Sequence, residues 1–169
     1  MQQLREAAML GHPPAQLQLG EFYKTGQGVD QDLNQARIWY ERAATGGNIL
    51  AMHRVGVMTA QGEGGVSDLA VAIEWFKQAG DRALVDSQYN LGALYHPTPD
   101  SIEGGVQNAE QAYFWYSLAA KNGDDQAASL AAGLAGSLDA NLKSELDASV
   151  TAWAPRPADP VANEVSPAS

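Results

Sequence analysis

His12, His53 and His96 are the three histidines of the chain, and no two stand four residues apart. That spacing is what lets a helix present two imidazoles to one metal ion. The chain has no cysteine, which excludes disulfides and thiolate metal sites. No Gly-x-Ser-x-Gly elbow occurs. The glycine-rich stretches "TGQGVD" (25–30), "GEGGV" (62–66) and "EGGV" (103–106) lack the lysine and the preceding strand of a phosphate-binding loop, so they read as turns between helices. The carboxylates Glu21, Asp30, Asp32, Glu63, Asp68 and Glu74 are scattered and suit solvated helix faces better than paired acid–base work. No nucleophile, base and orienting group come together. The chain therefore reads as non-enzymatic, with no catalytic, cofactor or metal residues.

The strongest pattern is repetition. "ARIWYERAATGG" (36–47), "AIEWFKQAG" (72–80) and "AYFWYSLAAKNG" (112–123) are versions of one segment. Trp39, Trp75 and Trp115 are 36 and 40 residues apart, whereas Leu19-Gly20, Val55-Gly56 and Leu91-Gly92 are spaced by 36 throughout. Such periods mark stacked supersecondary units. The extra residues of the third repeat fall between its two blocks, in "LGALYHPTPDSIEGGVQN" (91–108). "AAMLGH" (7–12) matches "AATGGN" (43–48), so residues 1–12 read as the end of a preceding repeat. Repeats then follow at about 13–48, 49–84 and 85–123, with a partial one at 124–138. The polar "QQLREAA" after Met1 does not resemble a signal peptide, and the start within a repeat suggests a piece of a longer protein.

Each repeat reads as two helices. Pro13 and Pro14 suit a first turn, and Ala15, Leu19, Phe22 and Tyr23 recur at helical spacing over 13–25. Asp32 can cap a second helix at 33–44, and Asn48 the helix after it. The corresponding helices are expected at 49–61 and 68–79, then at about 84–96 and 108–121, with Pro97 ending the fifth of the six. A glycine within a helix costs about 1 kcal/mol against alanine. Gly20, Gly56 and Gly92 share one position, so close helix approach is the expected compensation, with the tryptophan filling the space beside each. Contact of a ligand with the glycine backbone is the competing reading. "DANLKSELDASVTAW" (139–153) reads as an amphipathic capping helix. The Pro-rich "APRPADPVANEVSPAS" (154–169) reads as a disordered tail.

The first repeat follows A-x3-LG-x2-Y-x2-G-x-GV-x2-D-x3-A-x2-WY-x2-AA-x2-G through Ala15, Leu19-Gly20, Tyr23, Gly26, Gly28-Val29, Asp32, Ala36, Trp39-Tyr40, Ala43-Ala44 and Gly47. This closely resembles the Sel1-like repeat, a relative of the tetratricopeptide repeat, over roughly 1–135. The second repeat departs at Val55, Thr59, Gly80 and Ala83, and the third carries "HPTPDSIEGG" (96–105) in place of the G-x-G loop. The resemblance implies an all-α fold: a right-handed α-α superhelix, or solenoid, of antiparallel helix pairs. It also implies an adaptor function. A narrower resemblance links "YNLGALY" (89–95), "AYFWYSLAAKNGD" (112–124) and "AWAPRP" (152–157) to the periplasmic region of bacterial polar-localisation scaffolds. There the repeats lie between a membrane span and a peptidoglycan-binding module. This implies the periplasmic part of a longer inner-membrane protein; the cytoplasm is the other compartment in view.

Stacking as in tetratricopeptide arrays would place the first helices on a concave face. Its outward positions would be Leu17, Glu21 and Lys24 in the first repeat, His53, Val57 and Ala60 in the second, and Tyr89, Ala93 and His96 in the third. This mixed surface suits an extended peptide or a partner helix, and loop 96–105 is a rival contact site. With 20 acidic against 10 basic residues the formal charge is −10, which disfavours nucleic acid and anionic membrane surfaces. The expected function is a protein–protein scaffold for polar or cell-envelope organisation. Binding or acting on peptidoglycan is the alternative, with a purely structural spacer as a third.

Overall fold

Side-chain caps set where the helices begin. In a computed structural model, which describes residues 1–97 and 107–164, the Asp32, Asn48, Asp68, Asn108 and Asp124 carboxyl or amide oxygens accept backbone N–H bonds of 2.8–3.0 Å. These start α3 (Leu33–Thr45), α4 (Ile49–Gln61), α5 (Leu69–Gly80), α7 (Ala109–Lys121) and α8 (Asp125–Ala135). Each cap satisfies one of the amides that a helix N-terminus leaves unpaired. Ahead of them lie α1 (Gln2–Met9) and α2 (Pro13–Thr25), the latter opening on its two prolines. The remaining helices are α6 (Val85–Tyr95) and α9 (Ala140–Ala152). A single 3₁₀ turn spans Val161–Asn163. No strand occurs among the described residues.

One backbone bond fixes the register inside every repeat. The amide of the cap residue returns to the preceding first helix: Asp32 N–H to Tyr23 O (2.9 Å), Asp68 N–H to Thr59 O (3.1 Å) and Asn108 N–H to Tyr95 O (2.9 Å). The third repeat keeps this bond despite its longer connection, so the insertion does not displace the start of its second helix. The loop after α4 carries one further constraint. Gly64 has φ +67, and a Cβ there would collide with the Leu33 carbonyl oxygen, so only glycine fits.

The described residues form two compact units: 1–82 with 157–164, and 83–156. In the first, α1 to α5 pack each against the next. In the second, α7 is central and carries α6, α8 and α9. The α9 helix is held at two points. Tyr113 Oη donates to Asp147 Oδ1 at 2.6 Å, and Lys121 Nζ reaches the carbonyls of Val150, Thr151 and Trp153 at 2.8, 3.1 and 3.3 Å. The second set neutralises the negative end of the helix. Lys143, hydrogen-bonded at 2.6 Å, is the main cause, ahead of Tyr113, that holds the Asp147 carboxyl below its ordinary range.

The helix glycines do mark close approach, but to a different ring from the one expected. A Cβ on Gly20 would lie 2.6 Å from Tyr40, one on Gly56 2.7 Å from Phe76, and one on Gly92 2.5 Å from Tyr116. In each repeat this ring follows the tryptophan by one residue. Successive helical side chains diverge by about 100°, so when that residue faces the glycine the tryptophan cannot. Trp39 packs instead against the buried cluster of Ala8, Ala15 and Leu19, to which α1 and α2 both contribute. Trp115 is buried and Trp75 is half-buried. The Pro-rich tail also differs from expectation. Described residues 157–164 do not extend away from the fold: Ala162 is 2% exposed, and Asn163 hydrogen-bonds to the corner between α3 and α4.

Candidate partner-binding faces

In the first unit, Leu17, Glu21 and Lys24 lie on α2 and Val57 and Ala60 on α4, all partly exposed. The two helices are joined across this face by charge. Glu21 Oε1 lies 2.9 Å from Arg54 Nε, and Lys24 Nζ 3.1 Å from Glu63 Oε2 just beyond α4. Each pair is about one-third exposed, so each contributes only some tenths of a kcal/mol. Their main effect is to fix Glu21, Lys24, Arg54 and Glu63 in one arrangement, with Leu17 and Val57 partly exposed on the same two helices. Beneath lies Tyr40, fully buried, its hydroxyl beside the Glu21 carboxylate. Burial first, and the Glu21 carboxylate second, hold its phenol well above the ordinary range.

His53 is not outward. It is 7% exposed, and its ring centroid is 5.6 Å from that of Phe76. The reason is helical phase. His53 precedes Gly56 by three residues and shares its side of α4, which is the side turned to the Phe76 ring. Tyr89 obeys the same rule: it precedes Gly92 by three and meets Tyr116 edge-on at 5.6 Å.

In the second unit, Tyr89 and Ala93 lie on α6 and His96 directly after it. His96 also meets Tyr116 edge-on, at 5.7 Å, so two partly exposed rings flank a buried one. Gln126 Nε2 donates to Tyr89 Oη at 2.8 Å. Burial, and then Tyr89, push the Tyr116 hydroxyl up to about 12. Ala93 is exposed. Of the rival loop 96–105, positions 98–105 lie outside the described residues.

Two features of the first unit escaped sequence reasoning. Arg54 is the partner that immobilises Glu21, and nothing in the order of residues pairs positions 33 apart. The second is a recess of about 360 Å³ beside Pro14, Leu17, Glu21, Asn48 and Leu50, closed on one side by Asn163. The turn chemistry of "DPVAN" (159–163) was the available signal, outweighed by its proline content. Among the described residues, no group of three His, Asp or Glu side chains could hold a metal ion, and no helix is long and apolar enough to cross a membrane.

Helix pairs repeating with one internal register define a helical repeat protein of the solenoid class. The chain belongs to the Sel1 repeat family: the family model "Sel1 repeat" matches residues 13–48, 49–83 and 85–124. It is 32% identical over 125 residues to the chitin synthase regulator SKT5 of Saccharomyces cerevisiae, covering 72% of this chain and 17% of that protein. It is 37% identical over 124 residues to the DAP3-binding cell death enhancer 1 of Rattus norvegicus, again covering 72% of this chain and 23% of the relative. The crystal structure of c5321, a protective antigen of uropathogenic Escherichia coli strains with an SLR fold, superposes with a TM-score of 0.71 at 31% identity. That match covers 89% of this chain and 32% of c5321. This chain thus spans about a fifth of the length of these curated relatives. Sel1 repeat proteins are generally protein-interaction modules rather than catalysts.

Proposed function

We propose that this chain is a non-enzymatic module that recruits a protein or peptide partner in the bacterial periplasm, for organisation of the cell pole or envelope. The observation that carries the binding reading is the α2–α4 face. Leu17 and Val57 stay partly exposed on helices whose Glu21, Lys24 and Arg54 side chains are already held by ion pairs. A surface ordered in advance loses little entropy on binding. The relatives support it, one being a regulator of another protein and one named for a protein it binds. The periplasmic assignment rests on "YNLGALY", "AYFWYSLAAKNGD" and "AWAPRP" and their likeness to polar-localisation scaffolds.

Affinity recovery from a periplasmic extract tests this reading. Leu17→Asp with Val57→Asp should lose the recovered partner while helicity by circular dichroism is unchanged. Undiminished recovery would exclude this face. Retention of the wild-type chain on purified peptidoglycan, with no protein partner, would overturn the scaffold reading.

A further inference from the structure

The corner where α3 turns into α4 is occupied by the chain's own residues 159–163. Asn48 uses both ends of its amide there. Its Oδ1 caps α4 by accepting from Ala51 N–H at 2.9 Å, and its Nδ2 donates to the Ala162 carbonyl at 2.6 Å. Asn163 returns the pattern: its Oδ1 accepts from Ile49 N–H at 2.8 Å, and its Nδ2 donates to the Gly47 carbonyl at 3.1 Å. Asn48 is only 4% exposed and Ala162 only 2%. A Cβ built on Gly47 would be in ordinary contact with the Ala162 Cβ at 3.5 Å, so the Ala162 methyl sits directly against this corner.

The seated segment carries its own shape. Asp159 Oδ1 accepts from Val161 N–H at 2.9 Å, and Asn163 Nδ2 also reaches the Asp159 carbonyl at 2.7 Å. Pro160 restricts the backbone before the turn. The Val161 side chain is exposed, at 57%. The contact is therefore a few hydrogen bonds to a preformed turn plus one buried methyl group.

This corner differs from its counterparts in the other repeats. The equivalent positions are His12, Leu84 and Asp124. Asp124 caps α8 but its carboxylate has no amide to donate, and α2 begins with Pro13, which has no N–H. Of these four corners, that of Asn48 alone combines a side-chain cap with an amide donor, beside a first-turn N–H that needs an acceptor from elsewhere. The recess of about 360 Å³ continues from the seat along Leu50 and Leu17, and Leu50 remains 39% exposed.

We propose that this corner is a docking site for a short protein segment of the form Asp-Pro-x-small-Asn, and that residues 159–163 are its tethered occupant. An external segment of the same chemistry binds by displacing them and extends into the recess. The inference deepens the partner-binding reading of α2 and α4. Its test reads peptide exchange in the purified chain, so it can fail while partner recovery through Leu17 and Val57 succeeds, and the reverse.

The probe is a labelled octapeptide of sequence PADPVANE, corresponding to 157–164, followed by fluorescence anisotropy. In the full chain, Asn163→Ala weakens the tethered occupant and should raise affinity for the probe about tenfold, because a site filled by its own segment is rarely free. Adding Asn48→Asp preserves the α4 cap but removes the donor to the Ala162 carbonyl, and should abolish that gain with unchanged helicity. A probe with leucine in place of the alanine that corresponds to Ala162 should not bind. Equal binding by wild type and Asn163→Ala, no binding by either, or indifference to Asn48→Asp would each overturn the proposal.

Discussion

Gly92→Ala sets two opposed effects against each other within one helix. Alanine is the better helix former by about 1 kcal/mol. Its Cβ, however, would lie 2.5 Å from Tyr116 Cδ1 and 2.7 Å from Cε1 and Cγ. Cγ is joined to the α7 backbone through Cβ alone, so the ring cannot clear the methyl by tilting its far edge. Tyr89 and His96 stand against its other sides, and Tyr116 is 2% exposed, which leaves no space to swing into. Separating α6 from α7 is the remaining response, and overpacking of this kind costs about 1–3 kcal/mol. With the ring held this firmly the upper end applies, and the net destabilisation is about 2 kcal/mol. Gly133→Ala is the matched control in the same compact unit. That site lies in α8, is exposed, and has nothing within 4 Å of a built Cβ, so it should gain up to about 1 kcal/mol. Urea denaturation followed by circular dichroism reads both. In a Tyr116→Ala background the cost of Gly92→Ala should vanish, as coupling between touching residues requires. If Gly92→Ala is as stable as wild type while Gly133→Ala behaves as expected, the packing account is wrong.

Alkaline titration followed by phenolate absorbance should show a component near pH 12 that Tyr116→Phe removes, since burial raises that hydroxyl from 10.0. Folding retains this proton, so the associated stability is complete below about pH 10 and is lost as pH rises through about 12; loss of an ordinary component instead would contradict the burial. Lys121→Met should expose the last turn of α9, whose carbonyls it caps, raising amide exchange there about fivefold, as expected for about 1 kcal/mol. Unchanged exchange would show that the packing of α9 on α7 suffices.

Helix boundaries and repeat register were legible in the sequence because their causes are local. Caps such as Asp32 and Asp68, prolines at 13 and 14, and glycines at a fixed period act on the backbone within a few residues. The choice of Tyr40 over Trp39 as the ring against Gly20 was not legible. Both are large aromatics, and only the rotational phase of α3 against α2 separates them. The same phase buried His53 while leaving Val57 partly exposed, although both occupy positions first read as outward. The pairing of Glu21 with Arg54, and of Asn163 with Ile49 across 114 residues, was beyond any local rule. A proline-rich stretch states that it will not form a long helix or a core of its own. Whether a short turn within it finds a seat depends on unpaired amides and a small gap elsewhere, and those exist only once α3 and α4 have met.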